Sequence, residues 1–159
     1  MTDALRELLR KINSTADFSY VDFTNVNATN CLGENALHIS VRWNDIEAVR
    51  LLVTAGVDLN KHGEHGYTPL HYACEVGNRD MVELLIESGA DLFARTEGYI
   101  PFTTARLCRN DAICDLLSSH MQKSRSKPET TPDTQHIKAL TGQIAVLEKF
   151  IHDNCEKDA

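Results

Sequence analysis

Apolar residues near the start of the chain fall at Leu5, Leu8, Leu9 and Ile12, the spacing of one stripe on an amphipathic helix. Asp3 sits in its first turn and Arg10-Lys11 in its last, matching the helix dipole, so the pattern predicts a helix over 2–13. Between 14 and 32 the period is lost; Phe18, Tyr20, Val21 and Phe23 are apolar and are predicted to be buried, in a short irregular helix. Farther on, short helical patterns come in pairs. In the clearest pair Pro69 stands where a helix starts and its missing N–H costs nothing. Leu70 and Ala73 share a face, and Gly77 permits the left-handed stop. Met81, Val82, Leu84, Leu85 and Ile86 then supply a second helix that ends at Gly89. The tail differs: 122–131 lacks apolar side chains and reads as a polar linker. Thr131-Pro132-Asp133 is a helix start, and Ile137, Leu140, Ile144, Leu147 and Ile151 then follow at alternating spacings of three and four. That seam predicts an amphipathic helix over 132–155. Three readings stand for it: a cap on the rest of the chain, a short coiled coil with its own copy, or a docking helix.

The paired patterns are copies of one unit. At an offset of 33, Gly33 falls on Gly66, Leu37 on Leu70, His38 on His71, Leu51-Leu52 on Leu84-Leu85 and Asp58-Leu59 on Asp91-Leu92. A third copy follows at an offset of 32, with Gly66-Tyr67 on Gly98-Tyr99, Pro69 on Pro101 and Leu84-Leu85 on Leu116-Leu117. The run Gly66-Tyr67-Thr68-Pro69-Leu70-His71-Tyr72-Ala73, then Gly77-Asn78, then Val82 to Asp91, resembles an ankyrin repeat over its full length. Asn35-Ala36 stand where the pattern has Thr-Pro, and Ile100 and Thr103 replace the Thr and His of the third copy. The resemblance implies an all-α solenoid of stacked helix-turn-helix units with hairpin-like loops. Its units would be an N-terminal capping helix and degenerate repeat (1–32), repeats at 33–65, 66–97 and 98–121, the linker 122–131 and the separate C-terminal helix 132–155. One helix pair cannot bury its own apolar face, whereas stacked neighbours make the core continuous.

Composition narrows the function classes. Sixteen Lys+Arg against 23 Asp+Glu give a formal charge of −7, which supplies no global pull toward nucleic acid or anionic lipid. No apolar run approaches the roughly 20 residues of a membrane span, and the first ten residues lack the apolar core of a secretory signal. The five cysteines are odd in number and contain no Cys-x-x-Cys pair, so free thiols in a reducing cytoplasm are expected. No phosphate loop, nucleophile elbow or zinc-protease motif occurs, and the chain is read as a non-enzyme without cofactor or metal. His38 and His71 hold the repeat's structural histidine position, where the ring is expected to bond backbone of the adjacent loop. His62 and His65 are expected on an exposed hairpin, and Cys74 as a small side chain between helices.

What stacked repeats offer is a surface: loop tips and the exposed face of each first helix line up as a concave groove. Position by position, the resemblance implies contacts at Leu32, Glu34, Arg42 and Trp43 in the first unit. In the second it implies Glu64, His65, Tyr67, Glu75 and Val76, and in the third Thr96, Glu97, Tyr99 and Leu107. Trp43, Tyr67 and Tyr99 are the large, rigid side chains that dominate protein interfaces. Residues 62–94 hold six acids (Glu64, Glu75, Asp80, Glu83, Glu87, Asp91) against Arg79, which points to a partner protein with a basic surface. The expected function is protein binding, as an adaptor or regulatory subunit. The alternative is a dedicated inhibitor, such as a bacterial immunity protein that occludes a toxin's active surface. A homodimer through the C-terminal seam follows from the second reading of that helix.

Overall fold

The computed structural model describes residues 2–23, 25–96 and 98–126. Among these the chain is built from seven α-helices, two short 3-10 turns and two isolated β-bridges. The helices are α1 (Asp3–Asn13), α2 (Ala36–Arg42), α3 (Ile46–Thr54), α4 (Pro69–Val76), α5 (Arg79–Glu87), α6 (Pro101–Leu107) and α7 (Asp111–Ser126). The predicted C-terminal helix 132–155, its seam residues Ile137, Leu140, Ile144, Leu147 and Ile151, and the homodimer they would support lie outside the described residues. Glu97 does too.

Each element starts and stops for a local reason. Thr2 caps α1 through its side chain, which accepts from Leu5 N–H at 3.3 Å, and the stripe Leu5, Leu8, Leu9 and Ile12 is buried. Asn35, Asp45 and Asn78 cap α2, α3 and α5 in the same way. Pro69 and Pro101 occupy the first turns of α4 and α6, and Gly77 closes α4 at φ 83°. Ile100 at the start of α6 caps nothing with its side chain, as its apolar chemistry requires.

Two layers result. The first helices α2, α4 and α6 stack side by side, and α2 and α4 each pack on the helix that follows, α3 and α5. Leu37, Leu70, Ala73, Cys74, Leu52, Met81, Leu85 and Leu117 fill one continuous core with no exposure to solvent. Each such leucine contributes about 1.5–3 kcal/mol by leaving water. α1 closes the N-terminal end against α2, α3 and the first 3-10 turn.

Two expectations are corrected. Phe18 is fully buried and stacks on Phe23 at 5.6 Å between ring centroids, but Tyr20 is 100% exposed. The 3-10 turn Ala16–Phe18 has only one face to turn inward; Phe18 takes it, and Tyr20 lies in the turn beyond. The polar stretch expected to be linker from 122 instead continues α7 to Ser126, because Gln122 and Lys123 are good helix formers and no Gly or Pro stops the turn.

Candidate functional site

The described residues of the sequence-predicted surface lie at the carboxyl ends of α2, α4 and α6 and on the hairpins that lead into these helices. Among the described residues the exposed large apolar side chains are Tyr20, Leu32, Trp43, Leu51, Val76, Phe93, Tyr99 and Leu107. Five of these eight (Leu32, Trp43, Val76, Tyr99 and Leu107) belong to the predicted surface. Trp43 is the C-cap of α2 and is 38% exposed, with the Lys11 ammonium 4.9 Å from its ring centroid. Val76 ends α4 and Leu107 ends α6, the latter 68% exposed. Arg42 and Glu75, one residue before Trp43 and Val76, are exposed as well.

Glu34 is not part of that surface. Its side chain is 0% exposed and satisfied on all sides. It accepts from Asn30 Nδ2 at 3.1 Å and from the Tyr72 hydroxyl at 3.2 Å, and it pairs with Arg42 Nη1 at 3.4 Å. Register with Tyr67 and Tyr99 had suggested an outward position. What turns the carboxylate inward is a set of donors from three different segments, and the backbone of Gly63 closes over it. A Cβ on Gly63 would stand 2.8 Å from Glu34 Cγ and 3.1 Å from His38 Nε2, so only glycine fits there. Burial, followed by the Glu34 charge, pushes the Tyr72 phenol above its ordinary value, so it remains the donor of this bond.

Tyr67 is half-buried and committed to its neighbours: its ring stacks on His71 at 5.3 Å and meets Tyr72 edge-on at 5.2 Å. It forms part of the wall rather than a free anchor. Thr96 is corrected likewise, being 2% exposed and bridged to Tyr99. Glu64 is half-buried and His65, at φ 54°, is exposed at the hairpin tip, 3.6 Å from Glu64. His62 is exposed, with Nδ1 2.8 Å from the Gly66 carbonyl.

The predicted acidic groove is only partly made. Asp80, Glu83 and Glu87 lie on α5, in the other layer, and Asp91 lies beyond its end, which leaves Glu64 and Glu75 as acids near the apolar row. The histidines also divide. His38 Nε2 donates to the Tyr67 carbonyl at 3.2 Å while Nδ1 accepts from the Asn35 N–H at 3.1 Å. His71 Nδ1 is bonded to Thr68; its buried Nε2 closes no hydrogen bond and only leans toward the Tyr99 backbone of the next hairpin. Burial holds the His71 ring down to about 4 and lowers His38 too. Cys74 is fully buried and pushed up to about 12 by burial, an inert thiol. Among the described residues no group of three His, Cys, Asp or Glu side chains is placed to hold a metal, and no helix is long and apolar enough to cross a membrane.

Sequence reasoning missed one concavity. A cleft of about 740 Å3 lies between α1 and α3, with Leu5, Val26 and Leu51 among the side chains lining it and Glu47 and Arg50 beside them. No residue of the predicted surface lines it. The only hint in the sequence was Leu51, an apolar residue beside the core Leu52.

Residues 1–96 match a family model described as ankyrin repeats in three copies; the match stops just before the 98–121 unit, which departs most from the repeat pattern. The chain is 32% identical over 154 residues to SMC5-SMC6 complex localization factor protein 1 of Homo sapiens, covering 87% of this chain and 14% of that protein. It is 35% identical over 108 residues to Neurogenic locus notch homolog protein 1 of Homo sapiens, covering 66% and 4%. It is 43% identical over 70 residues to Protein phosphatase 1 regulatory subunit 27 of Mus musculus, covering 43% and 46%. The chain thus spans less than half the length of each of these relatives.

Proposed function

We propose, from the premise that this chain belongs to the ankyrin-repeat family, that it works as an adaptor or regulatory subunit whose partner protein lies along the carboxyl ends of α2, α4 and α6. Ankyrin repeats generally mediate protein–protein interaction. The observation that carries the reading is the exposure of Trp43, Val76 and Leu107 at the carboxyl ends of the three first helices, with Leu32 and Tyr99 exposed on the hairpins that precede α2 and α6. Such residues cost free energy in water and regain it only when something covers them. The names of two relatives, a phosphatase regulatory subunit and a complex localization factor, are consistent with a non-enzymatic role.

In this reading Trp43 and Leu107 supply most of the affinity. Glu64 and Glu75 favour a partner with basic groups at the facing positions and speed its approach. Glu34, Tyr67 and Tyr72 hold the wall in shape without touching the partner. The site of action is the cytoplasm, where the free thiols of Cys31, Cys74, Cys108 and Cys114 persist.

Affinity capture from the source cell with the full chain, followed by identification of what is retained, tests this. Trp43→Ala and Leu107→Ala are both surface changes, and circular dichroism should show the native helix content. Each is expected to weaken capture by tenfold or more, about 1.4 kcal/mol or above. Undiminished capture by the folded double variant would remove the groove from the function. If the captured partner is an enzyme that binding silences, the inhibitor reading replaces the adaptor.

A further inference from the structure

The apolar row has a spacing, and the spacing selects the shape of what covers it. Trp43 and Val76 occupy the same register position in consecutive units, and Leu107 lies one residue before that position in the third. Helices stacked side by side are about 8–10 Å apart, so a partner running along the stack meets an apolar side chain about every 10 Å. An α-helix rises about 1.5 Å per residue, and residues seven apart lie on one face about 10.5 Å from each other. An extended chain shows one face at every second residue, about 6.6 or 13 Å apart, and its side chains at about 10 Å point the opposite way. A helix matches the row and a strand does not.

Charge fixes a second feature. At the α2 end the cation is Lys11, held over the Trp43 ring, because the Arg42 guanidinium is already paired with buried Glu34. At the α4 end Glu75 is exposed and makes no ion pair among the described residues. The wall therefore presents a positive charge beside the first apolar position and a negative charge beside the second.

We infer that the partner segment is an amphipathic helix with apolar residues seven apart, carrying an acidic side chain beside the first and a basic one beside the second. This deepens the proposed function and rests on its placement of the groove. The helix lies across the carboxyl ends of the first helices with its apolar seam on Trp43, Val76 and Leu107.

Stapled helical peptides titrated against the full chain, read by fluorescence anisotropy, test it. One peptide carries leucine at every seventh position with the stated charges. A second has the same composition with leucine on alternate positions and no staple, and a third has the two charges exchanged. The first is expected to bind about tenfold tighter than the second and severalfold tighter than the third. Glu75→Lys, a change at an exposed residue, is expected to reverse the preference between the first and third. Equal binding of the first two peptides, no binding of the first, or no change of preference in Glu75→Lys would overturn the inference. Loss of cellular capture in Trp43→Ala alongside any of these results would leave the groove as the binding surface and assign it a non-helical partner. Retained capture would instead remove the groove itself.

Discussion

The hairpin that leads into α4 and the hairpin that leads into α6 follow the same sequence plan and end with different bonding. In the first, Gly63 N–H donates to the Tyr67 carbonyl at 2.8 Å, across four residues. The same carbonyl also accepts from His38 Nε2 of the preceding unit. In the second, Thr96 N–H donates to the Tyr99 carbonyl at 2.9 Å, across three residues, and His71 Nε2 approaches the Tyr99 backbone without closing a hydrogen bond. Two differences explain the contrast. The later hairpin is one residue shorter, which is why the repeat offset drops from 33 to 32. Thr96 also stands where Gly63 does, so the later hairpin carries a side chain at the position where the earlier one has none. One histidine position is thus a closed cross-unit bond, and the next caps its own helix with only a loose approach to the following hairpin. The lesson is that register assigns a residue its place, while the approach of the next hairpin decides its bonds.

Three measurements break or sharpen this contrast. The largest effect is expected from the two histidines themselves. His38→Ala strands the Asn35 N–H and removes the bond to Tyr67, and should cost about 2–3 kcal/mol. His71→Ala removes the bonds to Thr68 and only a loose approach to the Tyr99 backbone, and should cost about 1–2 kcal/mol. Urea unfolding of the two variants gives the difference, and equal costs would mean the cross-unit bond contributes nothing.

Next, Gly63→Ala should turn the first junction into something like the second. The added methyl meets Glu34 Cγ and the His38 ring, and the hairpin must lift. A loss of about 1–2 kcal/mol is expected, with little further loss when His38→Ala is added. Full additivity of the two changes would show that the hairpin does not reach the histidine.

The third test is in pH. His71 is held neutral down to about 4 by burial, opposed by the Tyr99 backbone and reinforced by His62, whereas the unfolded chain takes up that proton near 6.5. Its contribution is complete above pH 6.5 and is lost as the pH falls toward 4. The slope of stability is at most about 1.4 kcal/mol per pH unit for each such histidine. His38 contributes in the same direction. Thermal unfolding between pH 7 and 4 should show a shallower decline in His71→Ala than in the wild type; an unchanged decline would place the acid sensitivity elsewhere.

Much of this architecture is legible in the sequence. Pro69, Gly77 and Gly89 punctuate the helices, Leu70, Met81, Val82 and Leu85 mark the core, and the stripe from Leu5 to Ile12 marks the closing helix, because periodicity and stop signals are local. The exposed row was legible in outline too, since Trp43, Val76, Tyr99 and Leu107 fall where the repeat needs no core residue. Glu34 and Tyr20 were not. A carboxylate on a hairpin reads as surface until Asn30, Arg42 and Tyr72 converge on it, and a tyrosine among apolar neighbours reads as buried until Phe18 takes the single inward position.

The chain's sequence alone determined the helices, their order, the repeat and the family, because each rests on contacts between residues a few positions apart or on a pattern copied along the chain. Only the tertiary structure decided that Glu34 turns inward, that Tyr67 belongs to the wall, and that His38 closes a bond to the next unit while His71 only approaches it. Those outcomes depend on the distance between segments about thirty residues apart, and such a distance can be altered by one missing residue or one added Cβ.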